Sequence, residues 1–187
     1  MPSLFQNTLA QTYANTSTAV TFHFASGTPI PLAPSLLQFL DAYYPPGSLT
    51  LRPTSTFDPQ SFINALADGI DNNFRRQAHV DILNTYATAQ VMLFGDTASR
   101  TFETYVRLLE QYPGRIACVY LRNLTAVDPA GSSPNPLTRL TREQAYAQVR
   151  QVLPEEMRGR VEQIVVPFVD PGELVGMNLT TTPVKCV

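Results

Sequence analysis

Apolar and polar positions along the chain change their period several times, and the changes predict alternating elements. Residues 19–25 (AVTFHFA) are rich in β-branched and aromatic side chains and run into Ser26-Gly27, which predicts a strand. Residues 34–44 (PSLLQFLDAYY) set Leu36, Leu37, Phe39, Leu40 and Tyr43 at helical spacing. Pro45-Pro46-Gly47 stops that helix, and residues 48–52 follow as a short strand. Helical patterns cover 58–66 and 75–86, and residues 90–94 form an apolar strand. A helix over 102–111 is closed by Pro113-Gly114, and a strand follows over 115–121. Residues 128–136 (DPAGSSPNP) are a loop by composition. Thr141 and Gln144 have the spacing of a capping box and open a helix over 141–153. A strand over 161–169 and a short helix over 171–177 complete the pattern. Strands alternating with helices predict one α/β domain with a parallel, doubly wound sheet.

In such sheets ligands sit beyond the carboxyl ends of the strands. Two polar clusters fall there, Ser26-Gly27-Thr28-Pro29 after the first strand and Gly95-Asp96-Thr97 after the third. Hydroxyls and backbone N–H groups in a glycine turn ahead of a helix suit a phosphate or a carboxylate. By period two, His23 shares a strand face with Thr21 and Ala25, where it is a candidate acid/base group. Arg52 follows a strand and can reach an anion, whereas Arg75-Arg76 reads as a solvated helix face.

Composition narrows the classes. A chain of 187 residues suits one domain with a sizeable core. Only 15% of residues are charged and the net charge is −2, so no electrostatic footprint for nucleic acid is present. No apolar run approaches the ~18 residues of a membrane span. No basic-then-apolar start announces a signal peptide, and the end Lys185-Cys186-Val187 is too short for a prenylation motif. Asn15, Asn123 and Asn178 each head an Asn-X-Ser/Thr sequon, read as chance matches in a chain without a secretory signal. The two cysteines, Cys118 and Cys186, read as a buried thiol and a tail thiol in a reducing compartment. A cytoplasmic location is therefore expected.

Taken in order, the motifs resemble the phosphatidate phosphatase domain of the haloacid dehalogenase superfamily. His23-Phe24-Ala25-Ser26-Gly27-Thr28-Pro29 is similar to that family's His-Tyr-x-Ser-Gly-Ser-Pro turn. Pro46-Gly47-Ser48-Leu49-x-Leu51-Arg52 matches its short strand, and Gly95-Asp96-Thr97 with Glu103 and Tyr105 follows its Gly-Asp-Ser segment. Pro113-Gly114-Arg115-Ile116 through Tyr120-x-Arg122, Asp170-Pro171-Gly172-Glu173-Leu174 and the opening Met1-Pro2-Ser3-Leu4-Phe5 also look familial. The likeness spans 1–187 apart from a divergent stretch at 124–160, and implies a Rossmann-like sheet flanked by helices.

The departures shape the expected function. The superfamily's nucleophile and general acid lie in an Asp-x-Asp-x-Thr motif on the first strand. The first acidic residue here is Asp41, inside a helix, so a chain starting at Met1 lacks that central strand. Its flanking strands are then expected to pair directly, to meet through a partner chain in a homodimer, or to leave a groove. The resemblance also sets Thr101 where a metal-site Asp is expected, and brings the phosphate-binding Lys near His79, with Arg76 close by. Asp96 alone makes a weak Mg²⁺ site, so no metal or other cofactor is expected. These readings give a degenerate phosphatase-like protein that has lost phosphoryl transfer. It would use the old cleft for an apolar or lipid-like small molecule, through Ser26, Gly27, Thr28, Thr97, Arg52, Arg76 and His79. Metal-free acid/base conversion by Asp96 or His23, of isomerase, cyclase or lyase type, is compatible with that cleft. The alternatives are a lipid-phosphate phosphatase cut from its catalytic strand and a non-catalytic interaction protein.

Overall fold

The computed structural model describes residues 5, 20–53, 73–97, 101–124, 141–174 and 186. Among them β1 (Phe22–Pro29) pairs in parallel with β2 (Gly47–Arg52). A second sheet has the order β3 (Val91–Asp96), β4 (Ile116–Arg122), β5 (Val165–Phe168), again parallel throughout. Parallel neighbours need crossover connections. Helix α1 (Ala33–Tyr43) links β1 to β2, α2 (Asn73–Thr85) precedes β3, and α3 (Thr101–Gln111) links β3 to β4. Helices α4 (Arg142–Val152), α5 (Glu155–Arg158) and α6 (Val161–Ile164) lie between β4 and β5. The architecture is the expected α/β class with parallel sheets and helices. No helix among the described residues is long and apolar enough to cross a membrane.

The chain divides into two compact units, Met1–Ile82 and Leu83–Val187. In the first, Phe5 packs on Phe22 and Tyr44, with ring centroids 6.5 and 5.1 Å apart, and Phe24 meets Tyr44 edge-on at 5.7 Å. Helix α1 stops before Tyr44, which is extended (φ −131°, ψ 157°) because the following proline excludes it from the helical region. None of the α1 residues is buried, and Leu37, Phe39 and Tyr43 stay 45–49% exposed.

In the second unit β4 is the middle strand. Ile116, Cys118, Val119, Tyr120 and Leu121 are buried there, the near-continuous apolar run that a strand covered on both faces requires. Helix α3 buries Phe102, Tyr105, Leu108 and Leu109, spaced three and four apart on one face. Helix α4 adds Ala145 and Val149, and α6 adds Val161 and Ile164. The guanidinium of Arg115 joins the α2–β3 connection to the start of β4. It donates to the carbonyl oxygens of Tyr86 (2.6 Å), Ala89 (3.1 Å) and Leu83 (3.2 Å).

Three expectations change. The apolar run at 161–169 divides into helix α6 and the shorter strand β5, since an apolar run alone does not separate helix from strand. The final helix is a 3₁₀ turn over Pro171–Leu174 in the described residues. Among the described residues β1 pairs with β2 and β3 with β4, in two separate sheets. The cysteines are not thiols: Cys118 and Cys186 form a disulfide across 68 residues of sequence. A loop of that length removes about 4 kcal/mol of unfolded-chain entropy in the chain-entropy account. The expected helix at 58–66 and loop at 128–136 lie outside the described residues.

Candidate functional site

The carboxyl end of β1 carries a break in the ladder. Ser26 pairs with Leu51 and Pro29 with Arg52, so Gly27 and Thr28 bulge out between two paired positions. The Ser26 hydroxyl donates to Thr28 Oγ1 at 2.8 Å and accepts from the Thr28 backbone N–H at 3.2 Å. The bulge is thus a preformed pair of hydroxyls rather than a loose turn. Arg52 stands beside it at the end of β2.

Helix α2 brings a cation to the bulge. A Cβ on Gly27 would lie 3.4 Å from both Nε and Nη2 of Arg75, so the guanidinium rests against the bare glycine. The next residue, Arg76, has its Nε buried with no hydrogen-bond partner. One turn on, His79 donates its Nδ1–H to the Arg75 carbonyl oxygen at 2.6 Å. Burial holds the His79 imidazole below its ordinary pKa, against that hydrogen bond, with the Arg75 charge adding to the lowering. His79 thus braces the Arg75 backbone, and its surroundings disfavour the charged ring.

His23 sits between two hydroxyls. Its Nδ1 lies 2.6 Å from Ser48 Oγ, across the β1–β2 ladder, and its Nε2 lies 3.2 Å from Thr21 Oγ1. Burial lowers its pKa as well. A neutral ring in this setting fastens β1 to β2 and can exchange a proton with either hydroxyl.

Asp96 and Thr97 belong to the second unit, at the carboxyl end of β3. Thr97 is buried, its backbone N–H donates to Arg122 O at 3.0 Å, and its Oγ1 accepts from Leu124 N at 3.1 Å. Thr101 opens α3 against Gly95, with its Cγ2 2.6 Å from where a glycine Cβ would stand. The position that the resemblance gives to a second metal-site carboxylate thus faces the strand end, but carries a methyl and a hydroxyl. Among the described residues no three His, Cys, Asp or Glu side chains converge on one point. At this strand end the described residues Asp96, Thr97 and Thr101 carry one carboxylate and two hydroxyls.

Next to Thr97 a cavity of about 90 Å³ opens beyond β4 and β5. Asn123, Thr141, Arg142, Phe168 and Glu173 line it. The Glu173 carboxylate is held by the backbone N–H groups of Val169 (2.9 Å) and Asp170 (2.7 Å). Sequence reasoning missed this wall and also Arg75. The signal for Arg75 was a cation one turn into a helix, paired with a glycine turn far away in sequence.

The model for the phosphatidate phosphatase APP1 catalytic domain matches residues 1–123. Phosphatidate phosphatase APP1 of Saccharomyces cerevisiae is 27% identical over 103 residues, which are 55% of this chain and 17% of that protein. The chain therefore matches less than a fifth of its curated relative's length. No solved structure matches the chain. With the hydroxyl bulge at β1 and the Gly95-Asp96 strand end both inside the matched segment, the chain belongs to the phosphatidate phosphatase APP1 catalytic-domain family.

Proposed function

We propose that this chain recognises a lipid-like phosphate ester and does not transfer its phosphoryl group with the residues it contains. The carrying observation is the Arg75 guanidinium resting on Gly27 beside the Ser26–Thr28 hydroxyl pair. A planar cation over a bare backbone, with two hydroxyls at its side, suits a phosphate monoester. The buried and unsatisfied Nε of Arg76 points the same way, because an orphaned charged donor costs at least about 1–3 kcal/mol until an acceptor arrives. The lipid part rests on the segment next to the bulge. Pro29 leads directly into Ile30 and Leu32, 48% and 45% exposed, and then into the exposed Leu37, Phe39 and Tyr43 of α1. A polar head site continuous with an apolar surface fits the phosphate monoester of an acylated glycerol better than a sugar phosphate.

The absence of transfer rests on chemistry. No Asp-x-Asp pair occurs in the 187 residues. Covalent phosphoryl transfer by a carboxylate needs a positioned nucleophile. Thr97 follows Asp96 in sequence, and Thr101 opens α3 against Gly95 at the same strand end. A second reading, in which polypeptide outside these residues supplies the nucleophile, is favoured by the much greater length of the yeast relative. Both readings require the phosphate site and differ only in turnover.

Calorimetric titration with dioctanoyl phosphatidate, a water-soluble phosphatidate, tests the site. Saturable one-site binding is expected, weakened at least about tenfold in Arg75→Met and absent for dioctanoylglycerol. No binding by folded wild-type protein, or equal binding by Arg75→Met, would remove the proposal.

A further inference from the structure

The chain has two cysteines, and the fold brings them together in one buried disulfide. Cys118 lies on β4, the strand hydrogen-bonded on both edges, and is 0% exposed; Cys186 is 2% exposed. No free cysteine remains. The family match ends at residue 123, so the bond ties a strand inside the matched segment to a residue beyond it. Phosphate recognition at β1 does not call for such a bond.

We infer that Cys118–Cys186 is a permanent staple and that the chain completes its folding in an oxidising compartment. Making the bond takes two electrons and two protons from the thiols. An external disulfide accepts the electrons: one cysteine thiolate attacks it and releases a thiol, and the other attacks the mixed disulfide and releases a second thiol. The reverse reaction needs a thiolate to approach a sulfur in line. Both sulfurs are enclosed by the core around β4, so glutathione reaches them only when that core opens. A redox switch needs an accessible bond, whereas a staple needs a buried one. The fold has the buried one. Disulfides of this kind persist where the compartment is oxidising and are rare where glutathione keeps thiols reduced.

The full chain, refolded in a couple of oxidised and reduced glutathione, tests this without reference to phosphatidate. Alkylation under denaturing, non-reducing conditions should label neither cysteine, and peptide mapping should join the Cys118 and Cys186 peptides. Reduced glutathione should leave the bond intact in the native chain and break it in denaturant. Cys186→Ala, which spares the central strand, should fold but melt on the order of 10 °C lower. Two free thiols in the folded, equilibrated chain would overturn the inference. Rapid reduction of the native chain by glutathione, or an unchanged melting temperature in Cys186→Ala, would do the same.

Discussion

Thr101 lays its methyl group on Gly95, 2.6 Å from where a Cβ would stand, and Tyr105 closes the same spot with its ring edge and hydroxyl at 2.8 Å. The Tyr105 hydroxyl also donates to Phe94 O at 2.7 Å. Helix α3 is therefore seated on the end of β3 through a missing side chain, and Asp96 takes its position from that seat. Gly95→Ala must push Thr101 and Tyr105 away. A loss of about 1–3 kcal/mol in urea denaturation is expected. An alanine variant as stable as the parent would mean that α3 does not rest on this strand end.

Helix α4 begins where the sequence placed it. The Thr141 side chain accepts from Gln144 N at 3.2 Å, and the Gln144 side chain accepts from Thr141 N at 2.9 Å. Thr141→Ala removes the half of the box that the Thr141 hydroxyl makes and should cost about 1 kcal/mol, whereas Thr141→Ser should be close to neutral. Equal melting of the two variants would show that the cap carries no stability.

Most of the fold was legible because its elements announce themselves locally. Leu36, Leu37, Phe39 and Leu40 repeat at helical spacing, and the capping pair of α4 lies within four residues. In Phe22–Pro29 and Val91–Asp96 an aromatic or apolar start gives way to polar residues, which made Ser26, Thr28, Asp96 and Thr97 visible as strand-end groups. What stayed hidden depends on distance through space. Nothing local to Cys118 or Cys186 says that 68 residues of chain close on themselves. Nothing local to Arg75 says that it meets Gly27, so its charge read as solvated. Val161–Ile164 reads as strand because it runs directly into the apolar Val165–Phe168, yet Val161 and Ile164, three apart, are the buried pair of a helical turn.

Stability should fall on mild acidification. Burial lowers the pKa of both His79 and His23 in the folded chain. In the unfolded chain histidine titrates near ~6.5. Below that value the unfolded state binds more protons than the folded state, so stability drops as pH falls and is full above it. The melting temperature should therefore be lower at about pH 5.5 than at about pH 7.5, with a smaller drop in His79→Gln. A melting temperature that rises toward pH 5.5 would reverse the sign assigned to both rings.

Recognition of a lipid phosphate without its hydrolysis is the central claim, and one sample can test it. The purified chain is saturated with dioctanoyl phosphatidate in the presence of Mg²⁺, and free inorganic phosphate is followed over many hours. The account predicts a saturated site and no phosphate above the protein-free background. Phosphate release that survives repurification and disappears in Asp96→Ala would contradict it, because these residues would then hold a complete transfer site.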